Sequence, residues 1–353
     1  MIDDTRYSGA EYAFELALCA HLERAREWVL GRQLGASVAD PGARVVDVCA
    51  VVPGPAFDRR AAITSETIPP RAVESEVGPG RAVDPADAFD CSPDHARSVA
   101  DRAVEIGYFE ADHRGSRRHV RATTRYPDWI GGLVGIENKP DLGRPGDLER
   151  QLRRDAALGL FDRVVLATES YVTGAHLNRI PEAVGVWRFR GASEATRGDG
   201  EGRSPSGNRP QAGDGEAVGD AIEVVREPTP LDPASPGIEP LADRPLRTDV
   251  AVVSPEAKAR KRRAIAERAY GKGWRPREYP ACASMCPTDD GRPYCAAFDR
   301  VVDPASDCGE SCPAFEAADA PTVDREALRD ARTPWVAAPE GVARRQAGLD
   351  RFR

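Results

Sequence analysis

The sequence predicts an α/β fold in which helices flank a mixed sheet, with a helix-hairpin insertion and a small C-terminal cysteine-rich metal module. Helical and strand-like segments alternate from residue 9 to residue 190. Five cysteines cluster between residues 282 and 312. These observations predict three parts: an α/β domain over 1–190 with its insertion at about 53–125, a disordered linker over 191–245, and a module with a C-terminal tail over 246–353.

Apolar residues at helical spacing predict a first helix over residues 9–30, with Ser8 available as its cap. Residues 45–52 are apolar at both odd and even positions, apart from Asp47, and Pro53-Gly54 follows them. This pattern is typical of a strand buried on both faces. Burying an unpaired carboxylate is costly, so Asp47 needs a metal, a partner or a solvent-facing edge.

Within the insertion, Ser92-Pro93 predicts the start of a helix that ends at Gly107. Residues 108–124 predict a hairpin, and Arg117, Arg118 and Arg121 lie beside its turn. A helix followed by a basic hairpin is compatible with phosphate contacts in a nucleic-acid complex. An ordinary solvated arginine hairpin explains the pattern equally well.

After the insertion we expect two short strands, over 126–130 and 133–139, joined at Gly131-Gly132. A helix over 148–160 and strands over 163–168 and 184–189 follow. The run from residue 191 to about 219 has almost no apolar residues, which indicates disorder. Further strands are expected at 222–225 and 250–253, before a basic helix over 255–270 whose Lys261 and Arg262 are candidate nucleic-acid contacts.

The overall charge does not favour a general nucleic-acid binder, because 57 acidic residues outnumber 49 basic ones and the net charge is −8. Any nucleic-acid contact must therefore be local. No basic segment followed by an apolar stretch opens the chain, and no long apolar window exists, so a cytoplasmic protein with reduced cysteines and no membrane contact is expected. The Asp-rich, Lys-poor composition fits a very salty cytoplasm or a GC-rich genome.

Only four of the 49 basic residues are lysines, and one of them stands in the triplet Glu137-Asn138-Lys139. Lysine offers a compact point charge that arginine lacks. Residues two apart on a strand share a face, so Glu137 and Lys139 are expected to meet at one site, with Asp128 beside them from the preceding strand. Two carboxylates there would hold a hard divalent cation. The alternative is an exposed strand-end ion pair of little energetic value.

The residues Pro127-Asp128 followed by Glu137-Asn138-Lys139 resemble the motif of the PD-(D/E)XK nuclease superfamily. The resemblance implies a restriction-endonuclease-like core of helix, three strands, helix and strand. It also implies Mg²⁺ or Mn²⁺ bound by Asp128, Glu137 and the Asn138 carbonyl, with Lys139 assisting the attacking water. The RecB-like branch has a glutamine on the following helix, where Gln151 stands. Its acidic residue on the first helix corresponds to Glu11 or Glu15, and Asp47 is a further candidate ligand.

The clustered cysteines, with two pairs of Cys-x3-Cys spacing, indicate a metal site. They are Cys282, Cys286, Cys295, Cys308 and Cys312. A structural zinc ion bound by thiolates would stabilise such an apolar-poor segment. An iron-sulfur cluster is the alternative, since some RecB-like nucleases bind one through an upstream cysteine, a part that Cys19 could play. Cys49 and Cys91 are expected to be small buried or neutral residues.

Together these features predict a metal-dependent nuclease that acts on nucleic acid, with DNA favoured over RNA. One alternative is a non-catalytic DNA- or RNA-binding zinc protein, a regulator with a decayed nuclease core. Another is a scaffold whose cysteine module binds protein. The whole chain also resembles members of an uncharacterised family from halophilic archaea, a resemblance that adds nothing about activity.

Overall fold

The computed structural model describes residues 5–114, 117–144, 146–191 and 221–332. The elements up to the end of the insertion are α1 Thr5–Arg26, β1 Val29–Gly35, β2 Val45–Pro53, α2 Phe57–Ala61, α3 Pro70–Glu74, α4 Pro85–Ala88, α5 Pro93–Glu105, β3 Phe109–Arg114 and β4 Arg117–Ala122. The elements that follow are β5 Ile130–Asn138, α6 Leu148–Leu158, β6 Arg163–Thr168, α7 Gly174–Arg179, β7 Gly185–Phe189, β8 Ile222–Arg226, β9 Gly237–Arg244, β10 Arg247–Val253, α8 Pro255–Lys272, β11 Met285–Pro287, β12 Pro293–Cys295, β13 Arg300–Val301 and α9 Arg325–Arg332.

The main sheet has six strands in the order β1-β2-β5-β6-β7-β8. Pairing is antiparallel from β1 through β2 to β5, parallel from β5 through β6 to β7, and antiparallel again between β7 and β8. Helix α6 connects the parallel strands β5 and β6. The predicted α/β fold with a mixed sheet flanked by helices is therefore confirmed.

Helices cover both faces of this sheet. On one face α1 packs through Phe14 and Leu18 against Val134 and Ile136 of β5. On the other face α6 and α8 pack against a second cluster that includes Leu152. No helix in the described ranges is both long and apolar enough to cross a bilayer.

The first helix starts and ends four residues earlier than predicted, since it spans Thr5–Arg26 and β1 begins at Val29. Glu27 adopts a positive φ of 56°, a conformation that an α-helix does not continue through. Val29 and Leu30 are buried and pair with Val51 and Ala50 of β2. Tertiary pairing thus assigns to a strand two apolar residues that also fitted the helical period.

The prediction of two short strands joined at Gly131-Gly132 is wrong, since β5 runs unbroken from Ile130 to Asn138. Gly131 lies within the strand, where a Cβ would come within 3.0 Å of the Pro53 carbonyl oxygen. A Cβ on Gly135 would come within 2.7 Å of the Phe161 ring. These glycines therefore mark close approaches of neighbouring groups and not a turn.

The predicted linker and module boundaries also need correction. Residues 192–220 and 333–353 lie outside the described residues, but 221–245 contain β8, which joins the main sheet, and β9. Glu239 of β9 is fully buried and accepts hydrogen bonds from the backbone N–H groups of Val38 and Ala39. Helix α8 packs directly on β1, because a Cβ on Gly31 would come within 2.6 Å of the Ala269 Cα. The basic helix therefore belongs to the main α/β body.

The insertion forms its own small core and carries the predicted helix and hairpin. Ser92 caps α5 by accepting a hydrogen bond from the His95 backbone N–H, and β3 pairs with β4. Arg60 and Glu267 connect the insertion to α8 through two charge-assisted hydrogen bonds of 2.7 and 2.6 Å, and both side chains are fully buried. Arg60 also donates to the carbonyls of Thr64 and Glu66.

We expect Arg60→Met to lower the free energy of unfolding by about 3–5 kcal/mol, because it leaves the Glu267 carboxylate buried without its cation. Chemical denaturation measures this change. Arg102→Met is the matched control, since Arg102 pairs with Glu66 and Glu105 on the surface and should cost less than about 1 kcal/mol. Equal losses in the two variants would contradict the structural role given to the buried pair.

Candidate functional site

Four carboxylates from four elements lie close together where β5 ends beside the start of β2. We call them the acidic cluster: Glu15 of α1, Asp47 of β2, Glu137 of β5 and Asp155 of α6. Val48 pairs with Ile136 across the two strands, so Asp47 comes next to Glu137. The sheet itself therefore brings together two acids that are far apart in sequence.

Asp47 is oriented by an irregularity in the sheet. The ladder between β1 and β2 pairs Arg32 with Val48 and Leu34 with Val46 but skips Gln33 and Asp47, and Gln33 has a φ of 51°. Asp47 Oδ2 accepts a hydrogen bond of 2.9 Å from the Asn138 backbone N–H. Burial raises the pKa of Asp47, and the charge of Glu11 adds to this effect, whereas Arg44 opposes it.

Glu137 is only 3% exposed and lies on the α6 side of the sheet. It forms an ion pair with Arg44, whose guanidinium also donates to both oxygens of Asp155, at 3.1 and 2.6 Å. Burial raises the pKa of Glu137 well above its ordinary value, and the neighbouring charge of Asp47 raises it further. Burial likewise raises the pKa of Asp155, against the effect of Arg44. One arginine therefore serves two buried carboxylates.

Glu15 and Asn138 meet on the α1 side of the sheet. Glu15 pairs with Arg32 and accepts hydrogen bonds from Asn138 Nδ2 at 3.1 Å and Gln33 Nε2 at 3.3 Å. Burial raises the pKa of Glu15. Among the described residues, Asn138 Oδ1 is one of the few buried side-chain polar atoms without a hydrogen-bond partner. An acceptor of this kind beside a carboxylate is suited to a cation or an ordered water.

Lys139 contacts a different helix from Glu137. Its ammonium lies 2.6 Å from Glu11 of α1, and the lysine side chain is 18% exposed. The two heads of the Glu-x-Lys triplet were expected at one site, yet Glu137 faces Arg44 and Lys139 faces Glu11. Asp47 connects the two sides, since the charges of both Glu11 and Arg44 act on its carboxylate.

Asp128 lies apart from the acidic cluster. It is exposed and precedes β5, whereas Glu137 stands at the far end of that strand. From Ile130 to Glu137 alone the extended strand spans roughly 23 Å, at about 3.3 Å per residue. A cation shared by Asp128 and Glu137 is therefore ruled out, and the prediction that pairs these two acids is wrong.

Gln151 lines a groove of about 1080 Å³ that borders the acidic cluster on the α6 side. Arg44 also lines this groove, so one side of the cluster opens towards it. The remaining charged lining residues are Asp147, Glu149, Arg150, Arg153, Arg154 and Arg179. With Arg44 included, the groove is lined by five arginines, and each is paired: Arg44 with Glu137 and Asp155, Arg150 with Asp147, Arg153 and Arg179 with Glu149, and Arg154 with Glu239.

The other predicted nucleic-acid contacts are dispersed. Arg118 pairs with Asp101, and Arg121 pairs with Glu110. The side chain of Arg117 lies outside the described part of the chain. On α8, Lys261 is half-buried, while Arg262 donates to the Leu160 carbonyl and pairs with Asp162. Arg118 and Arg121 match the ordinary solvated hairpin, and Arg262 holds α8 to the main body.

Four of the five clustered cysteines line one small cavity near the C-terminal end of the described chain. They are Cys282, Cys295, Cys308 and Cys312. Cys286 is exposed. Burial raises the pKa of Cys308 to about 11, and Cys295, Cys312 and Cys282 are among the neighbours that raise it. Cys19 is fully buried in α1, and its charged neighbours include Glu15 and Arg32, so it lies among the groups around the acidic cluster.

All eight cysteines are free. Cys49 is fully buried and Cys91 is half-buried, in line with the prediction that they are small packing residues. Within the described ranges, no three His, Cys, Asp or Glu side chains form a group that could hold a metal ion. The carboxylates of the acidic cluster are instead bound by arginines and amides.

Sequence reasoning missed several residues that complete the acidic cluster. Arg44, Arg32 and Gln33 carried no motif that would have placed them there. Asp155, one helical turn after Gln151 on α6, carried no such motif either. Asp47, by contrast, was already a candidate ligand from the sequence, because it is a carboxylate within an otherwise apolar strand.

A family model described as a family of unknown function, DUF5787, matches residues 29–317. The matched span includes Asp47, Glu137, Lys139 and the five clustered cysteines, and it begins at β1, after α1. Searches of curated proteins and of solved structures gave no match.

We expect Arg44→Met to destabilise the fold by about 3–5 kcal/mol at neutral pH, since Glu137 and Asp155 would be left as buried anions without their shared cation. Because the pKa values of both acids are already raised in the folded state, folding favours their protonated forms, and this contribution is lost as pH rises. The cost of the substitution should therefore shrink as pH falls towards the ordinary carboxyl range near 4.

Urea denaturation at several pH values measures this dependence. Arg153→Met is the control, because Arg153 pairs with Glu149 on the exposed surface of α6. A cost for Arg44→Met that stays constant between acid and neutral pH would contradict the assignment.

Proposed function

We propose that this protein, which belongs to the family of unknown function DUF5787, is a metal-dependent hydrolase of nucleic-acid phosphodiester bonds. Its metal-binding acids would be Asp47 and Glu137, with Asp47 in place of Asp128. The observation that carries the proposal is the convergence of these two acids on neighbouring, directly paired strands.

The order of elements supports the proposal. Helix α1, the antiparallel strands β1, β2 and β5, helix α6 and the parallel strand β6 follow one another as the resemblance to PD-(D/E)XK nucleases implies. In this arrangement Asp47 stands on the strand that pairs with the strand of the Glu-x-Lys triplet. The insertion lies between these two strands in sequence and has a separate core.

The charge of the acidic cluster fits one divalent cation. Its four carboxylates are served by two arginines, Arg32 and Arg44, so the fully ionised cluster carries two negative charges in excess. Burial makes this excess costly, which is why the pKa values of all four acids are raised. Carboxylate and amide oxygens are the donors that Mg²⁺ and Mn²⁺ prefer.

Each residue of the proposed site would have a separate role in catalysis. Asp47 and Glu137 would hold the cation, with the Asn138 backbone carbonyl as the further oxygen donor that the resemblance to PD-(D/E)XK nucleases implies. When bound, the cation would lower the pKa of a water and offset negative charge on the phosphoryl group. Lys139 would orient the attacking water or a phosphate oxygen through its compact ammonium. The arginine-lined groove beside Gln151 would bind the phosphate backbone of the substrate.

One observation favours the second candidate, a non-catalytic nucleic-acid-binding protein with a decayed nuclease core. Arg44 forms an ion pair with the Glu137 carboxylate. A catalytic cation would need that same carboxylate as a ligand. Under this alternative Arg44 replaces the metal permanently, and the groove binds nucleic acid without cleaving it.

Cleavage assays with matched variants separate the two candidates. Wild-type protein is incubated in high salt with linear, nicked and branched DNA and with RNA, with Mg²⁺, Mn²⁺ or EDTA. We expect metal-dependent cleavage that falls at least about 100-fold in Asp47→Asn, Glu137→Gln and Lys139→Arg, since each removes a group acting at the reaction centre. Asp128→Asn and Glu256→Gln should keep wild-type activity, because both residues are exposed and lie apart from the cluster.

Activity lost in Asp128→Asn but kept in Asp47→Asn would overturn the assignment of Asp47. Tight binding of nucleic acid without cleavage in any metal would favour the second candidate. If the protein neither binds nor cleaves nucleic acid, the remaining alternative is a scaffold that binds protein.

Metal binding can also be tested without a substrate. We expect Mg²⁺ or Mn²⁺ to raise the melting temperature of the wild type and of Asp128→Asn, by an amount equivalent to about 2.7 kcal/mol at 100 times the dissociation constant. The same ions should not stabilise Asp47→Asn. Differential scanning fluorimetry at constant ionic strength measures the effect, with K⁺ as the control for screening. Equal metal-induced stabilisation of all three proteins would argue against the site.

A further inference from the structure

We propose that Cys282, Cys295, Cys308 and Cys312 bind one structural zinc ion and that Cys286, the fifth cysteine of the cluster, does not. The inference concerns the C-terminal module and is independent of the proposed nuclease site. It chooses among five candidate ligands that the sequence alone does not distinguish.

Strand geometry separates Cys286 from the others. In the hairpin of β11 and β12, Met285 pairs with Cys295 and Cys286 pairs with Tyr294. Successive residues of a strand point to opposite faces, so Cys295 and Cys286 lie on different faces of the hairpin. Cys295 is 7% exposed, and Met285 on its face is equally buried, whereas Cys286 is exposed.

The remaining three cysteines approach the face of Cys295 from two loops. Cys282 lies in the turn before β11, where its carbonyl accepts a hydrogen bond from the Met285 N–H. Cys308 and Cys312 lie after β13, with a turn closed by a hydrogen bond from the Cys312 N–H to the Gly309 carbonyl. All four line one cavity of about 20 Å³, enough for one water-sized sphere.

The rest of the cavity lining contains few side chains other than the cysteines that could bind a metal. Met285, Phe298, Val302 and Phe315 are among the apolar residues that surround it. Asp307 also lines the cavity, but its carboxylate pairs with Arg300 and accepts a hydrogen bond from the Asp303 N–H. Thiolates are therefore the donors available, and a small cavity whose lining includes four cysteines favours zinc over a hard cation.

The module also lacks an adequate core of its own. The buried residues of its cluster are Tyr279, Met285, Cys295 and Val302, and its strands are only two or three residues long. A segment this poor in buried apolar residues needs a cross-link or a metal to fold stably. Since the cysteines of the cluster are free, a metal is the cross-link that the chemistry of the cavity suits.

Binding would require the four thiols to lose their protons to solvent as their side chains turn into the cavity. As described, no three of them are close enough to form a ready metal group. The product, one zinc ion bound by four thiolates, carries two negative charges. Zinc binding should consequently release protons and become weaker at acid pH.

The experiment measures metal content by mass spectrometry of full-length protein purified without chelators. We expect one zinc per chain in the wild type and in Cys286→Ser, and less than half of that in Cys295→Ser and Cys308→Ser. Loss of zinc in Cys286→Ser, or full retention in the other two variants, would overturn the proposal. Iron with visible charge-transfer absorption would overturn it in favour of a cluster.

A second measurement avoids variants that fail to fold. Native wild-type protein is alkylated before and after treatment with a strong zinc chelator, and peptide mass spectrometry identifies the modified cysteines. We expect Cys286 to react at once and the other four cysteines to react only after zinc removal. Simultaneous reaction of all five, or disulfides among them, would contradict the proposal. Since neither readout involves nucleic acid, its failure leaves the nuclease proposal intact.

Discussion

The site depends on an excess of buried negative charge at the junction of α1, β2, β5 and α6. Four carboxylates share two arginines there, and burial raises the pKa of every one of the four acids. A protein selected for stability alone would not retain such a cluster, because each uncompensated buried charge costs free energy. The proposed cation site rests on this excess of charge.

The surrounding architecture keeps this cluster in place. The antiparallel pairing of β2 with β5 sets Asp47 beside Glu137, while Arg44 connects the sheet to α6 through Asp155. Helix α8 covers the same face of the sheet and is joined to the insertion by Arg60. The insertion thus packs against the main body. The end of the sheet that carries the acids is contacted by α1 and α6.

Much of the fold followed from local patterns. The strand over 45–52, the capped helix after Ser92, the hairpin after it and the helix after Asp147 were predicted because their periodicity and caps are local signals. The site was predicted less completely. Glu137 was predicted to belong to an acidic site, but its partner was taken to be Asp128, since Gly131 and Gly132 were interpreted as a turn. Gly131 instead lets β5 pack closely against the Pro53 carbonyl, a reason that only the tertiary structure reveals.

The sequence by itself determined the α/β class, most of the helices and strands, the unusual lysine at Lys139 and the clustering of the cysteines, because these depend on residue type and short-range spacing. Only the tertiary structure decided that Asp47 and not Asp128 adjoins Glu137, that Arg44 lies between two acids, and that Cys286 is separated from the other four cysteines. Strand register and the faces of paired strands set these neighbours, and such long-range pairings leave no periodic trace in the chain.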